Sequence, residues 1–170
     1  MNELANPLEL CGFEFIEFVA KDKELDEIFQ TIGFSKVAKH KSKNVYLWRQ
    51  GNINIILNYQ PESAAAYFFK EHGPSACAMG FRTKDAAKAF HKAVELGAEP
   101  IYSKIGPMEL NIPAIKGIGG SPIYLVDRDI YQSDFIFFDD AASHPVGTGL
   151  KEIDHLTHNV YRGRDRKSVV

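Results

Sequence analysis

The sequence predicts an α+β fold of two βαβββ modules, with mixed β-sheets and flanking helices. The main observation is a repeated order of a strand pattern, an Asp, an amphipathic helix and a Gly. Asp22 precedes Gly33 by 11 residues, and Asp85 precedes Gly97 by 12 residues. Short strand patterns follow the helix in both halves. An internal duplication explains this order. The alternative is chance, because any α/β protein can offer a capped helix that ends at Gly.

The first module is predicted over residues 8–60. Alternating apolar and acidic positions favour a strand at residues 12–20. A helix is expected over residues 21–32, with Asp22 as its N-cap and Gly33 at its end. Its apolar side chains recur at helical spacing, at Leu25, Ile28, Phe29 and Ile32. Strands follow at residues 34–40, 44–49 and 52–58.

A helical connector and a second module are predicted next. The connector covers residues 61–74, with a helix over 61–72 that Gly73 and Pro74 end. The second module covers residues 75–140. It begins with a strand at residues 76–82 and a helix over 84–96 that Asp85 starts. Further strands are expected at residues 99–103, within 118–126 and at 134–138.

A third module is predicted to begin near the end of the sequence, over residues 150–170. Residues 150–160 show another strand pattern, and the following residues turn basic. A strand without a helix or partner strands would be the unfinished start of a module. The sequence therefore predicts two complete modules and a fragment of a third.

Composition excludes several classes of protein. The chain has 170 residues, 45% of them hydrophobic, and a net charge of -2. It is too apolar for a disordered segment, and it has no basic excess for binding nucleic acid or an anionic membrane. Cys11 and Cys77 fit no disulfide framework, so both are expected to be thiols, at least one of them packed in the interior. With no signal peptide or membrane span in the sequence, we expect a soluble, cytoplasmic protein.

The histidines are the first candidates for metal ligands. His155 and His158 lie three residues apart, and on a strand they would point to opposite faces. At most one of them could therefore face a given cavity, and a lone His is more often structural. The remaining histidines show no ligand spacing: His40, His72, His91 and His144.

Two other patterns bear on chemistry. Glu14 and Glu17 on the first strand could serve as metal ligands, although a half-buried strand often carries polar residues on one face. Gly117, Gly119 and Gly120 form a glycine-rich pattern of the kind found in phosphate-binding loops. A strand, however, is predicted after them where such a loop needs a helix, so the segment is expected to be a turn.

Several blocks of sequence resemble the 4-hydroxyphenylpyruvate dioxygenase family, which belongs to the vicinal oxygen chelate (glyoxalase/bleomycin resistance) superfamily. The similarity extends over residues 7–164. The matching blocks are residues 12–18, 41–45, 49–51, 71–75, 106–110, 113–119 and 153–163.

This resemblance implies a function for the longer family members. Their C-terminal half holds Fe(II) on two His and one Glu, and they convert 4-hydroxyphenylpyruvate and O₂ to homogentisate and CO₂ in tyrosine catabolism. The substrate is a small aromatic α-keto acid. Their N-terminal half, two βαβββ modules, is non-catalytic and contributes to oligomer contacts. The resemblance thus implies a homo-oligomer.

For this chain, the resemblance assigns one metal ligand, His155, and no role to His158. The other two ligands would lie beyond residue 170. We therefore expect the chain to be inactive alone and to bind no cofactor tightly. The alternatives are a non-enzymatic module that binds a small ligand in an apolar pocket between residues 12–60 and 76–138, or a module for oligomerisation.

Overall fold

A computed structural model describes residues 6–102 and 110–158 of the chain. These residues form one nine-stranded mixed sheet in the order β6-β7-β8-β5-β1-β4-β3-β2-β9. The strands are β1 (Leu10–Val19), β2 (Ser35–His40), β3 (Val45–Gln50), β4 (Ile53–Asn58), β5 (Ser75–Thr83), β6 (Pro100–Ile101), β7 (Ala114–Lys116), β8 (Pro122–Val126) and β9 (Phe135–Phe137). The helices are α1 (Glu24–Thr31), α2 (Ala64–His72), α3 (Ala86–Glu95) and α4 (Tyr131–Asp134).

The sheet contains the same strand arrangement twice. β1 pairs in parallel with β4, and β5 pairs in parallel with β8. In both units the remaining pairs are antiparallel, in the orders β1-β4-β3-β2 and β5-β8-β7-β6. The two units meet where β1 pairs antiparallel with β5. This arrangement confirms the predicted α+β fold with a mixed sheet and flanking helices.

Helices α1 and α3 cover one face of the sheet. Phe29 of α1 packs with Ile55 and Leu57 of β4, and Leu125 of β8 packs against α3. Because side chains alternate along a strand, the neighbouring positions of β4 and β8 point to the opposite face. All six residues of β4 are buried. A strand flanked by two others and covered on both faces requires this apolar sequence.

The short strands differ from the prediction. β7 was not predicted, and the strand expected at residues 99–103 is reduced to Pro100–Ile101, with residue 103 outside the described part. The strand expected within residues 118–126 begins at Pro122, after a 3-10 turn over Ile118–Gly120. Gly120 N donates to Gly117 O in that turn, as expected for a turn rather than a phosphate loop. β9 pairs with β2 of the first unit, and not with the second unit.

Helix ends explain one further difference. Asp85 is the N-cap of α3, and its carboxylate accepts from Lys88 N at 2.9 Å, as predicted. Asp22 is not the N-cap of α1. Lys23 occupies that position without a side-chain cap, and Asp22 accepts only from Glu24 N at 3.3 Å. The apparent equivalence of the two aspartates is therefore wrong at the level of hydrogen bonds.

The strand predicted at residues 150–160 is also wrong over its described part, since residues 150–158 form neither strand nor helix. Residues 148–153 are held instead by contacts with the first unit. Gln50 Oε1 accepts from Leu150 N at 3.0 Å and from Thr148 Oγ1 at 3.1 Å. Ile153 packs onto the cluster that contains Phe29. Polar and apolar contacts with the first unit thus replace strand pairing. Residues 159–170 lie outside the described part.

Within residues 6–102 and 110–158, no helix combines the length and apolar character needed to cross a bilayer.

Candidate functional site

A cavity of about 450 Å³ lies on the face of the sheet opposite α1 and α3. Residues of both units and of α2 line it, and most of its wall is apolar. The apolar wall includes Phe15, Val45, Ile56, Ala65, Phe68, Ala78, Tyr124, Ile130 and Phe135. A partly enclosed apolar cavity with a few polar groups is the usual form of a small-molecule site.

Strand alternation places one carboxylate in this cavity. Phe15 and Glu17 of β1 point into it, and so do Ile56 and Asn58 of the adjacent β4. The parallel register, in which Val19 is opposite Asn58, brings the amide of Asn58 to Glu17. Asn58 Nδ2 donates to Glu17 Oε1 at 2.7 Å, and Asn58 Oδ1 accepts from Gln60 N at 2.8 Å. The amide is thereby fixed with its NH₂ group towards the carboxylate.

Burial has the largest effect on the pKa of this carboxylate, Glu17. Desolvation raises the pKa of Glu17, and the hydrogen bond from Asn58 and the charge of Lys43 offset that rise only in part. Glu17 also affects its neighbours. The pKa values of Cys77 and Tyr124 are raised, chiefly by burial and further by the negative charge of Glu17. The cavity therefore holds a carboxylate whose burial outweighs the hydrogen bond from Asn58 and the charge of Lys43.

Cys77 is buried, whereas Cys11 is exposed. This confirms that one of the two thiols is packed in the interior. Cys77 Sγ donates to the backbone oxygen of Glu17 at 3.5 Å. Its raised pKa keeps it as a neutral thiol, so it is a poor nucleophile at neutral pH.

A second, polar groove lies near the other end of β1 and includes Glu14. Glu14 pairs with Arg82 at 3.1 Å, while Arg49 donates to Asn54 Oδ1 at 2.7 Å and to Ser143 O at 3.0 Å. The Arg49 guanidinium also stacks over the ring of Tyr131. These side chains are engaged with one another, which is typical of a structural network.

The predicted metal ligand, His155, does not form part of a complete metal site among the described residues. Its side chain is 74% exposed, and its Nδ1 lies 2.7 Å from Asp154 Oδ2. Within the described part of the chain, no group of three or more His, Cys, Asp or Glu side chains could hold a metal ion. The described residues alone do not fit the facial triad of a non-haem iron centre.

The other histidines contact rings or backbone. His40, His72 and His91 lie beside Phe135, Phe68 and Phe90, respectively. His144 Nδ1 lies 3.0 Å from Gly51 O. Their surroundings fit the structural roles that the sequence favours for them.

The sequence indicates Glu17 as one of two acidic positions, with Glu14, on a mainly apolar strand, but it does not indicate its partner. Asn58 lies 41 residues away, and only the register of β1 with β4 brings the two together. A polar residue at an inward position of each of two parallel strands was the available signal.

Comparisons with known proteins agree with this fold. The family model described as "Hydroxyphenylpyruvate dioxygenase, HPPD, N-terminal" matches residues 4–140. The 4-hydroxyphenylpyruvate dioxygenase of Pseudomonas sp. (strain P.J. 874) is 59% identical over 94% of this chain and 46% of its own length. Hemolysin VllY of Vibrio vulnificus (strain CMCP6) is 52% identical over 96% of this chain and 48% of its own length.

A solved structure also matches the chain. A xylose isomerase-like TIM barrel/4-hydroxyphenylpyruvate dioxygenase fusion protein superposes with a TM-score of 0.71 and 37% identity, over 81% of this chain and 23% of that protein. The repeated βαβββ arrangement around a cavity defines the vicinal oxygen chelate class of folds. The chain belongs to the family of hydroxyphenylpyruvate dioxygenase N-terminal domains. It spans about half the length of the curated relatives it matches.

Proposed function

We propose that this chain is the N-terminal, non-catalytic domain of an Fe(II)-dependent enzyme that converts 4-hydroxyphenylpyruvate and O₂ to homogentisate and CO₂ in tyrosine catabolism. The match of residues 4–140 to the N-terminal family model carries this proposal. The identity of 59% to a dioxygenase, over about half of that protein's length, supports it.

His155 is proposed as the first iron ligand of that enzyme. The contact with Asp154 supports this role, because a ligating His commonly donates its other ring N–H to a carboxylate. With Nδ1 bonded in this way, Nε2 is left to face a metal. The described residues bring no second and third ligand to it, so we propose that those come from the C-terminal half of such an enzyme.

The first prediction concerns the isolated chain. Purified protein incubated with Fe(II), ascorbate and 4-hydroxyphenylpyruvate is expected to form no homogentisate above the level of a protein-free blank, because one His binds iron too weakly to hold it for turnover. Homogentisate is measured by chromatography, and a full-length relative serves as the positive control. Turnover within about tenfold of that control would overturn the proposal that the chain is non-catalytic.

We further place the protein in the cytoplasm, as part of a homo-oligomer. The exposed Ile136 on the edge strand β9 supports self-association, because an open strand edge with an apolar side chain favours pairing. Light scattering of the purified chain tests this assembly, and a monomeric mass at high concentration would contradict it.

The alternative function, a module that binds a small ligand, is favoured by one observation. The apolar cavity lies between the two units, where such a ligand was expected. This alternative is compatible with membership of a dioxygenase, since binding to the N-terminal cavity does not require an iron centre.

A further inference from the structure

The cavity presents a particular combination of groups. Two carboxylates line it, those of Glu17 and Asp134. Asn58 is the described side chain that donates to Glu17, and Asp134 accepts from Leu110 N at the long distance of 3.4 Å. Much of the remaining wall is aliphatic and aromatic, with Lys43, Gln60 and Asn111 among its polar side chains, so a hydrogen-bond donor that entered would meet two carboxylates in a mainly apolar cavity.

We propose that this cavity binds a small molecule with a primary ammonium group and an aromatic or aliphatic body, and that the ammonium group binds the carboxylate of Glu17. The body would lie against the apolar wall. The site is separate from the proposed iron ligand, because His155 does not line the cavity.

The charged groups that line the cavity decide whether it favours a cationic or an anionic ligand. Among the described side chains that line the cavity, two are carboxylates, Glu17 and Asp134, and one is an ammonium group, Lys43, so the acidic groups are in excess. A buried carboxylate that retains a net desolvation cost gains most from a cation, because an ion pair in a poorly hydrated site is stronger than one at the surface. A carboxylate ligand would instead be repelled by Glu17 and Asp134.

A metal ion is a poorer occupant than an organic cation. A site for a metal needs several ligands at short range, and no group of three metal-ligating side chains occurs in the described part of the chain. The apolar wall also favours an organic cation over a metal ion, because only the organic cation has an apolar body that the wall can bury. Phe15, Phe68, Tyr124 and Phe135 provide apolar area for the body of the ligand.

The size of the cavity limits the ligand. A volume of about 450 Å³ falls at the lower end of the range of roughly 300–1,000 Å³ that is typical of small-molecule sites. A single ring with a short alkyl ammonium chain fits that range. Phenethylamine is therefore a suitable probe, and phenylacetate is its anionic counterpart of similar size.

The test is a titration of the purified chain with both probes, followed by ¹H–¹⁵N NMR. Phenethylamine is expected to bind with a Kd in the millimolar range and to shift the amide signals of β1 and β4. Phenylacetate is expected to bind at least about tenfold more weakly. Glu17→Gln preserves the shape of the side chain and should weaken phenethylamine binding at least about tenfold. Glu14→Gln makes the same change on the same strand outside the cavity and should leave binding unchanged.

A second variant keeps the test decisive if Glu17→Gln does not fold. Ala64→Phe places a ring at an exposed position that lines the cavity, so it should block binding without disturbing the interior. Failure of phenethylamine to bind, equal binding of the two probes, or unchanged binding in both variants would overturn the proposal. None of these outcomes depends on homogentisate formation, so this binding test is independent of the test of the proposed function.

Discussion

At the scale of single residues, the charge of Glu17 should couple stability to pH. Burial raises the pKa of Glu17 in the folded chain above its value in the unfolded chain. A raised carboxyl pKa means that the folded state binds the proton more tightly, so its stabilising effect is present below about pH 4.5, the ordinary value, and is lost as pH rises through the folded pKa. The groups that face Glu17 are Asn58, Lys43, Cys77 and Tyr124, and they do not reverse this sign.

Glu17→Gln is therefore expected to increase the free energy of unfolding at pH 7, because it removes the desolvated charge and keeps an oxygen that can accept from Asn58. The gain should shrink as pH falls towards 4.5. Urea unfolding at several pH values measures it, with Glu14→Gln as the matched variant. A Glu17→Gln variant that is less stable than the parent at pH 7, but not at pH 4.5, would contradict the assigned pKa direction.

The two helix-start aspartates should differ in their effect on stability. Asp85→Ala removes the N-cap of α3 and should cost about 1 kcal/mol of unfolding free energy. Asp22→Ala should cost clearly less, because Asp22 is not the cap of α1. Thermal and urea unfolding of both variants compare them directly. Equal losses would show that the aspartates are equivalent, as the sequence repeat suggests.

Single residues also show what the sequence can predict about the site. Cys77 is packed in the interior, as the sequence predicts for at least one of the two cysteines. Glu17 can be identified as a candidate from its position on an apolar strand. Its raised pKa and its partner Asn58 cannot, because both depend on distances between segments that are remote in the sequence.

At the scale of secondary structure, the segment after β9 is fastened to the end of α1 and to β3. Thr148 Oγ1 donates to Ile32 O at 2.8 Å, and Gly51 N donates to Pro145 O at 2.6 Å. Gly33 allows the close approach, because a Cβ atom there would lie 2.6 Å from Thr148 N. The segment thereby covers the turn that ends α1.

Gly33→Ala should therefore be more harmful than Gly97→Ala. Both glycines have a positive φ, of 95° and 99°, so either Ala is strained by about 1–2 kcal/mol. A Cβ at Gly97 would meet nothing within 4 Å, whereas one at Gly33 would clash with Thr148. Limited proteolysis should show faster cleavage after residue 140 in Gly33→Ala alone. Equal stability and equal cleavage of the two variants would exclude the contact as a stabilising one.

The success of the sequence-based prediction differs between the elements. α1, α3 and the long strands β1 to β5 follow from apolar periodicity. In α1, however, Phe29 is buried while Ile28 and Ile32 of the same pattern remain exposed. β7 has three residues, too few for a pattern. β9 lies within the strand predicted at residues 134–138, but the sequence does not show that it pairs with β2, about 95 residues earlier in the chain. For residues 150–158, by contrast, the sequence predicts a strand that the structure does not contain. They have a strand pattern, but the segment forms no β-ladder. A hydrogen bond from Leu150 N to Gln50 and the packing of Ile153 against the cluster that contains Phe29 hold it in place.

At the scale of the whole molecule, the sheet unites two units of the same topology around one cavity. The family match, and the coverage of about half the length of the Pseudomonas sp. and Vibrio vulnificus relatives, support the proposal that the chain is a domain of a larger dioxygenase. If the function proposed above holds, the domain would contribute its fold, its cavity and one iron ligand, His155. The catalytic iron centre would require a second half.

A chimera tests this account most directly. Residues 1–158 of this chain are joined to the C-terminal half of the Pseudomonas sp. (strain P.J. 874) dioxygenase, loaded with Fe(II), and assayed for homogentisate. We expect turnover by the chimera, a loss of at least about 100-fold in kcat/KM for His155→Ala, and little change for the neighbouring His158→Ala. A folded chimera that forms no homogentisate, or one in which His155→Ala is as active as His158→Ala, would contradict it.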